Sequence, residues 1–132
     1  PRVIARAVSR TTARILARIG ADEIVNPEDE AADRWAQRLI NPQFVNQIEF
    51  HEGHSIVELR LPDKWVGKTL KELDLRAKRA VHVVAIKRRE SPDDPEGAVR
   101  VELPSPLSPL VEGDVLILMG KDDDLEKLPR HD

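Results

Sequence analysis

Residues 66–89 read VGKTLKELDLRAKRAVHVVAIKRR, and the order of chemistry inside this stretch decides the fold. Gly67 supplies a turn. Thr69 followed by Glu72 has the spacing of a capping box, in which the Thr hydroxyl accepts from an orphan helix N–H while the Glu reaches back. Leu70 and Leu73 then share one side of a short helix. Residues 81–86, VHVVAI, are rich in β-branched side chains and of strand length, and apolar on both faces apart from His82. That pattern predicts a buried strand. Arg76, Lys78, Arg79, Lys87, Arg88 and Arg89 surround these elements, and no acid occurs between Leu75 and Arg89. A capped helix, a basic corner and a buried strand together make a candidate anion pocket.

The flanks complete the unit. Before the stretch, Val57, Leu59 and Leu61 alternate with Glu58 and Arg60, the pattern of a half-buried strand, and Pro62-Asp63-Lys64 is a turn. After it, SPDDPEG (91–97) is a polar loop. Val99, Val101 and Leu103 alternate with Arg100 and Glu102 as a third strand. Pro104, Pro106 and Pro109 stiffen the loop that follows. Glu112-Gly113-Asp114 turns into a buried strand, Val115–Met119, which Gly120 is expected to end. Lys121–Leu128 is a last short helix carrying Leu125 and Leu128. The order is β-α-β-β-β-α, a small α+β domain of roughly 80 residues whose thin core favours dimerisation.

Residues 1–40 have a different rhythm. Val3-Ile4-Ala5 is strand-like, and Ser9 or Thr11 caps a helix with Ala13, Ile15, Leu16, Ala17 and Ile19 that stops at Gly20. Glu23-Ile24-Val25 is a short strand. Asn26, with Pro27 at the first helical position and Asp29 three residues on, starts a second helix. Its Ala31, Ala32, Trp35, Ala36, Leu39 and Ile40 form a mostly small-residue stripe suited to close packing on a partner. Such a βαβα piece needs the rest of a doubly wound sheet, or another subunit, to cover it. Asn41-Pro42 marks the break, and Phe44 to Phe50 is expected to cross into the second unit.

Composition bounds the function. The 132 residues are 40% hydrophobic and 34% charged, with a net charge of −3, which argues against a general nucleic-acid binder. Residues 1–47 hold seven Lys/Arg against six Asp/Glu, and residues 48–132 hold fourteen against eighteen. With no cysteine, disulfides, thiolate metal sites and thiol nucleophiles are excluded. No apolar run approaches membrane-spanning length, and no signal peptide is visible. The abrupt, strand-like beginning fits a fragment.

The enzyme signatures are missing. Gly67-Lys68-Thr69 imitates the end of a phosphate-binding loop, but Pro62 stands where the loop needs its first glycine. His51 and His54, three apart on a strand-like segment, are expected on opposite faces, a poor metal site; His82 and His131 are the other histidines. Ser55, Ser91, Ser105 and Ser108 lack a nucleophile elbow. Asp122-Asp123-Asp124 suits the first turn of a helix better than a cation site. The basic corner is left, either as a solvated helix end that favours the dipole or as a phosphate-binding patch.

Residues 49–128 resemble the C-terminal domain of the regulator-of-potassium-conductance family, found in the cytosolic Ktr/Trk potassium-uptake subunits. The resemblance runs through VGKTLKELDLR, VHVVAIKR, EGDVLILMG and DDLEKL in that order. Residues 1–40, through IARA and ILARIGADEIVNPEDEAADRWAQRL, resemble the end of that family's N-terminal Rossmann domain. The resemblance implies a Rossmann remnant with crossover helix at 1–47 and a regulatory, dimerising domain at 48–132. The glycine-rich turn that holds ATP, ADP or NAD in the family is absent, so that site is not contained in this chain.

It implies further a non-enzymatic regulatory subunit, cytoplasmic and peripheral to the inner face of the membrane. There it is expected as a homodimer within an octameric ring beneath a potassium channel or transporter, with no nucleic-acid partner. In several members the C-terminal domain binds cyclic di-AMP at the dimer interface, which maps here onto Asp74, Leu75, Arg76, Arg79, Ala80, Val81 and His82. Arg76 meets a phosphate, Leu75 and Val81 the adenine, and His82 stacks or hydrogen-bonds, while Pro104 closes the pocket. Other members use the domain for dimerisation alone, which leaves two functions open: a sensor of a small anion, or a structural dimerisation module. A third is the same domain serving another cation transporter.

Overall fold

The computed structural model describes residues 1–130. It divides into two compact units, Pro1–Leu39 and Ile40–Asp132. Among the described residues, no helix is long and apolar enough to cross a membrane.

In the first unit, β1 (Ile4–Arg6) and β2 (Glu23–Val25) pair in parallel, joined by α1 (Arg10–Arg18) and followed by α2 (Pro27–Ile40). The caps are where the sequence places them. Ser9 Oγ accepts from the Thr12 N–H at 3.1 Å, and Asn26 Oδ1 accepts from the Asp29 N–H at 3.2 Å, each satisfying an orphan donor. Neither helix contains a buried residue. Trp35, Leu39 and Ile40 stay exposed on α2, with the Arg38 guanidinium 5.4 Å from the Trp35 ring centroid.

The second unit is a five-stranded sheet in the order β3-β4-β7-β5-β6, comprising β3 (Phe44–His51), β4 (His54–Arg60), β5 (His82–Arg89), β6 (Val99–Glu102) and β7 (Val115–Lys121). All of its pairings are antiparallel. Between β4 and β5 lie a 3-10 turn, Asp63–Trp65, and two one-turn helices, α3 (Leu70–Leu73) and α4 (Leu75–Arg79); α5 (Asp122–Glu126) follows β7. Val57, Leu59, Leu116 and Leu118 form one face of the central strands and are buried with Leu61, Trp65, Leu75, Val81, Leu110, Leu125 and Leu128. This one-sided core holds the short helices against the sheet.

Four details differ from the sequence expectation. Residues 44–50 are a full strand: a hairpin at Glu52-Gly53, with Gly53 at φ +74°, folds β3 back onto β4. That hairpin sets His51 directly opposite His54, with ring centroids 5.8 Å apart, because the turn resets the alternation that would put them on opposite faces. β5 is buried on both faces only at its middle, at the adjacent Ala85 and Ile86. Val84 at its bulge, Met119 on β7 and the β6 residues Val99 and Val101 are exposed, so the β-branched run marks a strand buried on both faces along only part of its length. Finally, β7 continues through Gly120 to Lys121. A Cβ on Gly120 would stand 3.2 Å from Val81 Cγ1 and 3.4 Å from the Ala80 carbonyl oxygen, so this glycine permits close approach rather than ending the strand.

Candidate anion-binding site

The capping box is formed. The Thr69 hydroxyl accepts from the Glu72 N–H at 3.2 Å and donates to Glu72 Oε1 at 3.1 Å. Thr69 is therefore a helix cap, as Pro62 in place of a glycine already implied. The helical stretch is then broken. Asp74 takes the left-handed conformation (φ 44°) and so does Ala80 (φ 56°), which brackets α4 between two turns. For a residue with a Cβ that conformation costs roughly 1–2 kcal/mol, and Asp tolerates it better than Ala because its short side chain can bond locally. The breaks turn α4 relative to α3, and both helices line one cavity.

That cavity has a volume of about 360 Å³ and is lined by Leu70, Lys71, Asp74, Leu75, Arg76, Val81, His82, Val83, Pro104 and Pro106. Its second wall is the proline-rich loop, stitched to the helical wall by backbone bonds. The Lys71 N–H donates to the Pro106 carbonyl at 3.1 Å, the Gly67 N–H to Leu110 at 2.8 Å, and the Leu110 N–H to Lys68 at 2.9 Å. With Leu110 buried beneath, the two walls are fixed in advance, which lowers the ordering cost of any ligand between them.

The structure sorts the basic residues that the sequence presents as one corner. Arg88 is taken up within the fold. Its guanidinium forks onto Asp114, Nε to Oδ1 at 2.9 Å and Nη2 to Oδ2 at 2.7 Å, and reaches Glu102 at 3.4 Å. Asp114 is 1% exposed and also accepts from the Val111 N–H at 3.0 Å. The hydrogen bonds to Asp114 raise the Arg88 pKa above its ordinary value against the opposing effect of burial, so this side chain stays charged wherever the protein is folded. Lys87 is paired with Glu58. Arg79 points away from the cavity: Nη1 donates to the Lys127 carbonyl at 3.3 Å, and the guanidinium lies 5.8 Å from the centroid of the buried Trp65 ring.

Six residues named from the sequence, Asp74, Leu75, Arg76, Val81, His82 and Pro104, are thus brought to one cavity, and Arg79 and Ala80 are not among its lining residues. Among the described residues, Arg76, Lys71, Asp74 and His82 make no side-chain hydrogen bond or ion pair. Sequence reasoning missed Leu70, Lys71, Val83 and Pro106. Leu70 and Lys71 lie on the helix before the break, and nothing in the helical spacing announces that a left-handed Asp74 will fold α3 and α4 around the same space. The tie between Lys71 and Pro106 spans a long separation in sequence and has no local signal.

The arrangement offers two unpaired cations, one unpaired carboxylate, an imidazole and an apolar lining of Leu, Val and Pro. Such a surface suits a ligand that is part anionic and part flat and apolar. Among the described residues, no group of three or more His, Asp or Glu is placed to hold a metal ion, and His131 lies outside them.

Residues 54–130 match the TrkA-C domain family. The chain is 32% identical over 117 residues to the Ktr system potassium uptake protein C of Bacillus subtilis (strain 168), covering 89% of this chain and 49% of that protein. It is 31% identical over 123 residues to the Ktr system potassium uptake protein A of Vibrio alginolyticus, covering 91% and 51%. The chain thus spans about half the length of the curated relatives it matches. Among solved structures, the RCK C domain of the potassium transport protein KtrA, in complex with cyclic di-AMP, is 35% identical. That alignment covers 58% of this chain and 80% of that one, with a TM-score of 0.48.

Proposed function

The chain belongs to the TrkA-C domain family, and from that premise we propose that it is the sensing part of a regulatory subunit that gates a membrane potassium channel or transporter. It acts at the cytoplasmic face, by binding rather than by turnover, and its ligand is a small phosphate-bearing molecule with a flat base, with cyclic di-AMP as the candidate. A single observation carries this reading. Within the acid-free basic stretch, the unpaired Arg76 lines the cavity, while Arg79, Lys87 and Arg88 outside it are occupied. Arg76 holds a phosphate through its planar fork. Leu75 and Val81 supply apolar surface to a purine, His82 stacks or hydrogen-bonds, and Pro104 closes the wall.

Gating then follows from differential binding. A ligand that prefers one arrangement of paired domains shifts the population toward it. Pairing of two chains and assembly into a ring beneath the transporter belong to the same proposal.

Calorimetric titration with cyclic di-AMP, wild type against Arg76→Ala, tests it. Saturable binding lost in the variant supports sensing. No heat and no thermal shift at high ligand concentration sinks it, since ligand at about 100 times Kd adds roughly 2.7 kcal/mol to folding stability.

A second reading is a domain used only to hold two chains together. The exposed apolar residues on the uncovered side of the sheet, Ile48, Val99 and Val101, favour it. A chain that dimerises in sedimentation yet ignores the ligand would select this one.

A further inference from the structure

Away from the cavity, we infer that His51 and His54 form a two-histidine site for a transition-metal ion of the Zn²⁺ class, clipping β3 to β4 beside their hairpin. On a single strand, a spacing of three sends side chains to opposite faces. The Glu52-Gly53 turn undoes that. His51 and His54 are direct partners in the antiparallel register, so they share a face, and their ring centroids stand 5.8 Å apart. Two imidazoles on one ion, with metal–nitrogen bonds of about 2.0–2.1 Å and near-tetrahedral angles, have centroids roughly 5–6 Å apart. The pair is already at chelating distance.

A second observation points to the same ligand. His54 Nδ1 lies 3.0 Å from the Glu52 carbonyl oxygen. A carbonyl only accepts, so Nδ1 carries the proton and the Nε2 lone pair is free. Metal-binding histidines are oriented by such a bond from their other nitrogen. Among the described residues, the His51 side chain makes no hydrogen bond or ion pair, so its lone pair is free as well. Imidazole nitrogen suits Zn²⁺, Ni²⁺ and Cu²⁺, whereas Mg²⁺ and Ca²⁺ require oxygen. Among the described residues, no third His, Asp or Glu joins the pair, which leaves the other positions to water. Lys121, the register partner of His54 on β7, opposes the cation. The ion is therefore exchangeable, unlike one in a closed four-ligand site.

Calorimetric titration of Zn²⁺ into the full chain, purified without a histidine tag, tests the clip against His51→Gln, His54→Gln and the double variant. Thermal unfolding without metal checks that each variant folds. Wild type should take up one ion per chain. Either single substitution should weaken uptake at least about tenfold, since even the outer partners of a metal ligand are worth about 10–100-fold in affinity. Zn²⁺ should raise the unfolding midpoint of wild type alone, because only the folded hairpin holds the two rings together. Uptake should fall from about pH 8 to about pH 5, where imidazole takes up a proton, and Mg²⁺ should give no heat. With Cu²⁺ as a second probe, electron paramagnetic resonance should report two imidazole nitrogens in wild type and one in each single variant.

Undiminished Zn²⁺ uptake by the double variant, or a wild-type Cu²⁺ spectrum with a single imidazole, would overturn the clip. A loss in one single variant but not in the other would overturn it too, since that reduces the site to a lone histidine. Each of these results leaves the reading of the cavity untouched, because neither histidine lines it.

Discussion

The two ends of the acid-free stretch from Leu75 to Arg89 carry the same charge in different surroundings. At the far end, Arg88 points from β5 toward the turn before β7, where the buried Asp114 takes both of its donors at 2.9 and 2.7 Å. At the near end, Arg76 stands on a one-turn helix over a cavity, with no partner among the described residues. The first arginine ties together strands distant in sequence; the second is available to a ligand. Charge density alone does not distinguish them, because the acids that complete Arg88 lie beyond the stretch, across two later turns.

The largest test of this contrast acts on the far end. Asp114→Asn leaves the Arg88 guanidinium half-buried with only the 3.4 Å contact to Glu102 as counter-charge, and breaking a buried pair from one side costs about 3 kcal/mol. Urea unfolding followed by circular dichroism should show the midpoint falling with the slope unchanged. Arg76→Ala should leave stability within about 0.5 kcal/mol. Equal losses in the two variants would erase the distinction between a structural and a free arginine.

A smaller effect is expected where the cavity meets the sheet. Gly120→Ala puts a methyl 3.2 Å from Val81 Cγ1 and 3.4 Å from the Ala80 carbonyl. Overpacking of this kind costs about 1–3 kcal/mol, and here it pushes on Val81, which lines the cavity. Stability and ligand affinity should therefore fall together, unlike in Asp114→Asn, whose cost should leave the affinity of the folded fraction intact.

What the sequence makes legible follows the range of the interactions. The caps at Ser9, Asn26 and Thr69 are local and appear where the spacing puts them. The alternation in Val57, Leu59 and Leu61 gives β4 and its buried face. β3 is less legible because Asn46, Gln47 and Glu49 mask its period, and only pairing with β4 reveals it. The placement of Arg76 and His82 in one cavity was expected from family resemblance. The exclusion of Arg79 was not legible, since it depends on Trp65 and on the Lys127 carbonyl. Nor was the entry of Lys71, since it depends on a backbone break at Asp74.

That break supplies a finer comparison. Asp74 and Ala80 are both left-handed, but only Asp74 lines the cavity. Ala80→Gly removes the Cβ clash at the cost of a more flexible unfolded chain, for a net gain of up to about 1 kcal/mol in thermal unfolding. Ligand affinity should hold. A loss of affinity would mean that Ala80 belongs to the site after all.

The smallest predicted effect decides where the site ends. Arg79→Ala removes a 3.3 Å bond to a carbonyl and a distant contact with an aromatic face, which at a partly exposed position is worth about 0.5–1 kcal/mol. If Arg79 serves the attachment of α4 to Trp65 and the C-terminal turn, the variant should unfold slightly earlier and bind cyclic di-AMP as wild type does. If instead it swings into the cavity when a phosphate arrives, affinity should fall while stability barely changes. The guanidinium would then have to leave Trp65, so ligand binding to wild type should change the fluorescence of that buried indole. The two outcomes move different observables, so one titration read by both heat and emission separates an arginine that holds α4 in place from one that closes over the ligand.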